Sequence, residues 1–584
     1  MSLPTTSNRY SQVVYTNKAR CRDCYRCVRV CPVKAIRMEE GQASVIGELC
    51  LSCGTCVREC PQKAKLFRND VELASRLISS GRKTACSLAP SFAGFFPSWQ
   101  RRRMPSVLRR LGFTHVSETA VGAFYSALAT ADYVNKHSRD PNLGTSCPAF
   151  VDYVLNYRSD LARYLVPVDS PMVAHAKYLR SKLGEDTAVI FIGPCTAKKA
   201  EAARTGGDGT IDCVLTFTEL FEWLTSERIE IAGFEESGFD ITPHGVSRLF
   251  PLEGGCVVTA GFNADIMHPN IVAVSGFENI DAALDDMKPG QFIEPLFCPH
   301  GCAGGPATND AASFYEARLN IMDYNTESIE FSPKTPQDSL ELDDDDRKFM
   351  ETLATQFRVP KKPVKRDVTE QAIREVYENT GKADPINQLD CGACGYPSCR
   401  AKAIAVIQGM AEIDMCLPFV KRKALQRIDR IVETSPNGIV TLDEHLNIIS
   451  MNPAFRAFFK CSNAVSGKPI SYLMDPEPFE RLLAEPNKQV NVIVNHAAYN
   501  LVCNEFIYVL PDEHQFIGIF VNITSQEKNQ SQLDELREKT VIQARELLEQ
   551  QLLMAETVAS ALGENAARAE ALLEHLMEQA VNKD

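Results

Sequence analysis

Nowhere in these 584 residues does an apolar run approach the ~20 residues that span a bilayer, so no transmembrane helix is expected. No charged-then-apolar stretch opens the chain, and no secretory leader is expected either. Basic side chains are outnumbered, 62 Lys and Arg against 75 Asp and Glu. The net charge of −13 argues against nucleic-acid binding, which calls for a basic face. There is no ATP-binding motif of a histidine kinase, so any signal must leave through a separate protein. The apolar share of 45% and charged share of 23% are ordinary, and the length implies about four domains. The expected location is the cytoplasm.

Cysteine is what the chain has in excess: 21 residues, in tight groups. Disulfide scaffolds are small secreted domains, so clustered thiols in a large chain without a leader read as metal ligands. Cys21, Cys24, Cys27 and Cys31 follow C-x2-C-x2-C-x3-C before Pro32. Cys50, Cys53, Cys56 and Cys60 repeat the pattern before Pro61. A duplicated run of this form is the two-cluster ferredoxin signature, in which the fourth cysteine of each run ligates the other cluster. One [4Fe–4S] cluster then takes Cys21, Cys24, Cys27 and Cys60, and the other Cys50, Cys53, Cys56 and Cys31. Zinc also accepts four thiolates but rarely in two such runs.

After Lys83 the pattern turns to apolar runs and helical stretches, as in an α/β domain; Ala188 to Ile192 reads as a buried strand. Three cysteine motifs follow: Thr145-Ser146-Cys147-Pro148-Ala149-Phe150, Gly193-Pro194-Cys195-Thr196-Ala197-Lys198-Lys199, and Glu294-Pro295-Leu296-Phe297-Cys298-Pro299-His300-Gly301-Cys302-Ala303-Gly304-Gly305. Together they resemble the signature segments of the [FeFe]-hydrogenase family, and the resemblance, with the ferredoxin part, covers residues 10 to about 375. It implies an H-cluster: a [4Fe–4S] cube on Cys147, Cys195, Cys298 and Cys302, with Cys302 bridging to a diiron subsite that carries carbonyl, cyanide and a dithiolate. Lys198 matches a lysine that hydrogen-bonds one cyanide, and Ala89-Pro90-Ser91 resembles the segment lining the other. Gly193, Pro194, Leu296 and Gly301 fall in the cofactor-binding segments. Cys86, Cys213, Cys256, Cys461 and Cys503 belong to no motif and read as packing residues.

The resemblance also has gaps. Efficient members place a cysteine before the first cube ligand, where this chain has Ser146, a far weaker acid. Their two relay glutamates align with Thr130 and Tyr133, and their relay serine with Val166. Two methionines that contact the diiron site become Gly193 and Leu296. The family's proton route is therefore expected to be broken, and turnover slow.

Residues 331–367 read as a linker followed by a surface helix. Cys391, Cys394, Cys399 and Cys416 then resemble a small [4Fe–4S] domain, with a helix from Arg400 to Ala411 leading to the fourth ligand. Spacing alone leaves zinc open. Residues 425–525 alternate strands and helices, and the stretch Leu446 to Phe455 resembles a PAS domain in which a hairpin enters a helix at Asn452. His445, His496 and His514 read as surface residues. From Gln526 the chain is helical, and Leu548, Leu552, Ala555, Ala559 and Leu562 step as in a coiled-coil seam. A plain amphipathic helix fits as well; the position after a PAS domain favours a homodimer.

The expected architecture is multidomain α+β and α/β. A ferredoxin-like two-cluster domain spans 1–78, an α/β H-cluster domain 79–375, an iron–sulfur domain 376–424, a PAS domain 425–525 and a signalling helix 526–584. The order implies a sensory [FeFe]-hydrogenase of an anaerobe, a hydrogen:acceptor oxidoreductase of low activity. Its partners would be hydrogen and protons, a redox protein such as ferredoxin, and a separate signalling protein. Two alternatives stay open: a catalytic hydrogen-producing or hydrogen-consuming enzyme, and an iron–sulfur scaffold without the diiron subsite.

Overall fold

A computed structural model describes residues 12–524, apart from 40, 206–209, 263–267, 309–312, 332–341, 361–366, 485–488 and 511–513; beyond 524 it describes only Arg545 and Gln551. The expected seam of Leu548, Leu552, Ala555, Ala559 and Leu562 lies outside the described residues. Among those that are described, no helix is long and apolar enough to cross a membrane. The chain divides into two units, Met1–Val420 and Lys421–Asp584.

The first unit begins with a duplicated fold. Val14–Thr16 pairs antiparallel with Lys65–Phe67, and Ile36–Glu39 with Gln42–Val45. The cysteine loops wind tightly, and the same conformations recur in both halves. Asp23, Tyr25 and Lys34 have positive φ in the first, as do Ser52, Gly54 and Lys63 in the second. Left-handed backbone at non-glycine residues is costly and collects at functional sites.

Two parallel sheets follow. In the larger, the strand order is His115–Glu118, Thr84–Leu88, Ala188–Gly193, Cys213–Thr216; in the smaller it is Ile271–Ser275, Phe292–Leu296, Asn142–Leu143. Thr84–Leu88, Ala188–Gly193, Cys213–Thr216 and Phe292–Leu296 are wholly buried, as expected for parallel strands covered on both faces, while the edge strand Ile271–Ser275 is mostly half-buried. The carboxyl ends carry the motifs. Leu88 leads into Ala89-Pro90-Ser91, Glu118 into Thr119, Gly193 into Pro194-Cys195, Leu143 towards Ser146-Cys147, and Leu296 towards Cys298. Carboxyl ends of parallel strands are where open α/β sheets place their ligands.

The iron–sulfur segment near residue 400 is part of this unit. One apolar core joins Val28 and Leu51 of the duplicated fold, Phe150, Ile293 and Phe297 beside the smaller sheet, and Tyr396 and Met415 of the later segment. The helix expected over Arg400 to Ala411 runs Cys399–Ile407, started by the Ser398 hydroxyl accepting from Ala401 N. The Asp343–Asp346 run forms a helix start: Asp343 caps Asp344–Glu351, where acidic side chains suit the helix dipole.

The second unit holds a five-stranded antiparallel sheet in the order Ile448–Met451, Gly438–Leu442, Gln515–Asn522, Leu501–Leu510, Val490–His496. Asn452 joins hairpin to helix as the sequence implies. Its Oδ1 accepts from Ile439 N and Phe455 N, and its Nδ2 donates to Val432 O and Asn437 O. One expectation fails. His445 and His514 are exposed, but His496 is buried and bonds Glu505 at 2.7 Å.

Candidate metal centre

The duplicated fold sorts its eight thiols into two sets. Cys21, Cys24, Cys27 and Cys60 line one pocket of about 350 Å³. The second set is Cys31, Cys50, Cys53 and Cys56. Burial and then the charge at Cys53 push the Cys31 thiol up to about 11. Cys50 is pushed up to about 12 by burial, with Cys53 and Cys31 adding to it. Backbone N–H groups point at two sulfurs in matching places, Ala35 N to Cys31 at 3.3 Å and Ala64 N to Cys60 at 3.2 Å. Burial alone disfavours the thiolates that metal binding needs, and bound iron reverses that preference. Among the described residues no three His, Cys, Asp or Glu side chains converge on one ion. The first set surrounds a volume, which suits a cluster better than tetrahedral zinc.

The two sheets meet at a cavity of about 560 Å³. Cys195 and Cys302 line it, and the charges of Cys147, Cys195 and Cys302 all act on Cys298. Ala89, Pro90, Ser91, Ser146, Pro194, Lys198 and Leu296 complete the wall foreseen from the sequence. Gly193 and Gly301 stand behind it: a Cβ at Gly193 would meet Phe191 at 2.6 Å, and one at Gly301 the Pro251 carbonyl at 2.5 Å. The remaining wall is apolar and includes Met172, Phe191 and Phe250. A methionine is thus present, supplied from a different element.

Two polar groups fit an anionic ligand there. The Ser91 hydroxyl is buried and bonds to nothing in the protein, a costly state for a polar atom unless a ligand completes it. The Lys198 ammonium, buried at the wall, places two of its three donors on Ser170 at 2.9 Å and Glu201 at 2.7 Å. Four thiols, an orphaned hydroxyl, an ammonium and an apolar cavity form a donor set that fits a four-thiolate cube with a diiron group beside it.

The aligned relay positions carry no acid and do not line the cavity. Thr130 donates to Ser126 O of its own helix, Tyr133 stacks on His137, and Val166 is fully buried. Sequence reasoning missed two residues beside Ser146. The buried Cys256 lies near the Ser146 side chain, and the Glu294 carboxylate accepts Cys256 N at 2.9 Å and Val257 N at 3.1 Å. Glu294 stands inside a quoted motif, but nothing in its spacing tells that it is buried.

The cysteine sets are in line. The Thr196 hydroxyl donates to Ser52 O at 2.6 Å, Arg58 donates to Gly304 O at 3.0 Å, and the Cys53 charge reaches Cys298. On another side of the duplicated fold, Arg29 donates to Ala393 O at 3.5 Å. The half-buried Lys34, its pKa lowered by burial, feels both Cys31 and Cys394. Within the later set, Lys382 Nζ bonds Cys399 Sγ at 2.7 Å. The set of Cys31, Cys50, Cys53 and Cys56 therefore lies between the cavity and the set of Cys391, Cys394, Cys399 and Cys416.

Comparison with known families agrees with these regions. Residues 82–306 match the iron only hydrogenase large subunit, C-terminal domain; 13–61 a 4Fe-4S dicluster domain; 386–418 the FeS family; and 426–492 a PAS domain. The chain is 26% identical over 265 residues to the NADP-reducing hydrogenase subunit HndD of Solidesulfovibrio fructosivorans, covering 41% of this chain and 42% of that one. It is 24% identical over 285 residues to the cytosolic Fe-S cluster assembly factor NAR1 of Yarrowia lipolytica, covering 34% and 58%. It spans about half the length of these curated relatives. A solved structure of [FeFe]-hydrogenase HydA1 from Chlamydomonas reinhardtii aligns at 17% identity and a TM-score of 0.38, over 50% of this chain and 99% of that one.

Proposed function

We propose that this chain, whose residues 82–306 form an iron-only hydrogenase domain, is a hydrogen sensor. Hydrogen bound or slowly turned over at the central cavity changes the redox state of the clusters, and the Cys391 set and the PAS domain pass that change on. One observation carries the reading: the Cys31 set touches the cavity loops through Ser52 and the Cys391 set through Arg29. A helix, Leu417–Thr434, then starts at the residue after Cys416. A production enzyme has no evident need of that branch.

Cys147, Cys195, Cys298 and Cys302 would hold a cube and an adjoining diiron subsite, which would supply redox-active metal for splitting or forming hydrogen. Ser91 and Lys198 orient anionic ligands from opposite motifs, each with a donor the site leaves for them. Met172, Phe191, Phe250 and Leu296 keep bulk water out, which strengthens those polar contacts. Ser146 holds a proton at its Oγ beside the cavity. A hydroxyl gives that proton up far less readily than a thiol, and Thr130 and Val166 offer nothing further out. Slow turnover is the consequence. Electrons would enter or leave through a partner such as ferredoxin, the output would reach a separate signalling protein, and the chain would act as a homodimer.

The second reading is a scaffold that lacks the diiron subsite, favoured by the likeness to an assembly factor. Infrared spectra of anaerobically matured protein separate the two: carbonyl and cyanide bands are expected, and their absence supports the scaffold. A hydrogen-evolution rate matching that of a production enzyme would contradict the sensor.

A further inference from the structure

In the later iron–sulfur segment a buried ammonium touches a cysteine sulfur. Lys382 is buried, and its Nζ donates to Cys399 Sγ at 2.7 Å. The backbone of Lys382 is fixed on both sides. The helix Glu370–Asn379 ends at Thr380, Gly381 turns the chain with φ +62°, and Lys382 N donates back to Tyr377 O at 2.7 Å. Gln388 Nε2 donates to Lys382 O at 3.0 Å. A buried ammonium is costly without an anion. The partner the structure gives this one is a sulfur, which suits a cluster-bound thiolate far better than a neutral thiol.

We propose that Lys382 raises the reduction potential of a cluster on Cys391, Cys394, Cys399 and Cys416 above those of the two ferredoxin-type clusters. Electrons arriving through the Cys31 set then come to rest there. The inference deepens the proposed function and rests on the reading of these four cysteines as ligands of a [4Fe–4S] cluster. One electron leaves the Cys31 cluster, which is oxidised, and enters the Cys391 cluster, which is reduced. No atom is transferred.

A reduced cluster carries one more negative charge than an oxidised one, so a fixed cation beside it favours reduction. Net charge, hydrogen bonds to the sulfurs and exposure are what set such potentials. In the duplicated fold the sulfurs meet neutral groups: Ala35 N at Cys31, Ala64 N at Cys60, Ser52 N at Cys50 and the Thr55 hydroxyl at Cys53. A charged donor makes a hydrogen bond roughly twice as strong as a neutral one. Lys65 lines the pocket of the Cys21 set, but its ammonium bonds the Thr16 hydroxyl at 2.5 Å. In the later set Lys402, buried on the same helix as Cys399, donates to Ile413 O at 2.7 Å and adds a second cation to that neighbourhood. An opposing charge is present too, since the Asp390 carboxylate accepts Cys399 N at 2.5 Å. Asp390 is exposed and Lys382 is buried, so water and salt screen the anion more than the cation. The cation prevails.

The test is a reductive titration of the full chain before diiron insertion, followed by electron paramagnetic resonance. Cys391→Ala identifies the signal of the Cys391 set, and that signal should appear first as the potential is lowered. At the midpoint of the natural protein, the ratio of reduced to oxidised Cys391 cluster should fall at least tenfold in Lys382→Met, a shift of about 59 mV for one electron. Lys382→Arg should restore most of it. Iron content and the ferredoxin-type signals should stay as in the natural protein. If Lys382→Met loses iron, Lys382→Gln takes its place with the same fall expected. A Cys391 set that reduces after the ferredoxin-type clusters overturns the inference in the natural protein alone. An unchanged ratio in Lys382→Met with its iron intact does so as well. A fall that Lys382→Arg does not restore assigns the effect to packing and overturns the role of the charge. If Cys391→Ala removes no signal, the cluster reading and the inference fall together. Missing carbonyl and cyanide bands after maturation, or rapid turnover, overturn the hydrogen reading and leave the order of potentials standing.

Discussion

The Thr196 hydroxyl donates a 2.6 Å hydrogen bond to the Ser52 carbonyl, tying the loop after Cys195 to the loop between Cys50 and Cys53. Gly54 sits at the same junction with φ +73°, and a Cβ there would meet Pro306 at 2.5 Å and the Thr196 hydroxyl at 2.6 Å. No side chain fits that gap, and the left-handed backbone penalises one as well. Gly54→Ala should push the loops apart. It should keep the carbonyl and cyanide bands and slow the reduction of the Cys31 set by hydrogen, followed by electron paramagnetic resonance. Equal rates in variant and natural protein would remove this junction from the electron path.

Cluster content follows from the four thiol sets. Iron analysis before diiron insertion should give about sixteen irons per chain, at four thiolates to each cube. Cys391→Ala should lower that by about four.

The cavity and the later set should be separable. Cys302→Ala should abolish the carbonyl and cyanide bands, while Cys391→Ala leaves them. Ser91→Ala should move a cyanide band, since its hydroxyl has no partner within the protein. A spectrum unchanged by Ser91→Ala would mean that the hydroxyl faces something else.

Lys199, beside Lys198, has a structural task. Fully buried, it bonds Asp70 at 2.8 Å, Val214 O at 2.8 Å and Glu219 at 2.9 Å, tying the segment after the duplicated fold to the larger sheet. Lys199→Met leaves the buried Glu219 carboxylate without its cation and Asp70 with Arg68 alone. That should cost roughly 3–5 kcal/mol, the usual toll of breaking a buried pair, measured by denaturant unfolding of the first unit.

Acid should act through His175. Burial lowers its pKa to about 3, and the neutral ring bonds Ser87 at 2.7 Å and Ser117 at 3.0 Å. A depressed histidine contributes stability that is complete above its unfolded value of about 6.5. That stability drains away as pH falls towards about 3. Unfolding free energies measured down this range should fall more steeply in the natural protein than in His175→Asn.

The residues readable from sequence are those whose partners lie nearby in the chain. Cys21 to Cys31 and Cys391 to Cys399 carry their spacing within a single loop, and Asn452 announces a helix start through local capping chemistry. The cavity motifs were readable because each directly follows a parallel strand. The opposite wall was not: Thr119, Met172 and Phe250 come from separate elements, and no local period marks them. Cys256 and Glu294 meet across two elements, so one read as a packing thiol and the other as part of a cysteine motif. His496 was legible in principle. It continues the inward-facing phase of Val490, Val492 and Val494 along its strand, a period-2 signal that outweighs the usual preference of histidine for the surface.

The central claim is that hydrogen at the cavity reports to the Cys391 set while little hydrogen is turned over. Matured natural protein should be exposed to hydrogen, with infrared spectra, electron paramagnetic resonance and the turnover rate recorded on one sample. The account predicts carbonyl and cyanide bands that shift under hydrogen, and a reduced-cluster signal that is lost in Cys391→Ala. It also predicts turnover orders of magnitude below that of a production enzyme. Bands that ignore hydrogen, a Cys391 set that stays oxidised, or rapid turnover would each contradict it.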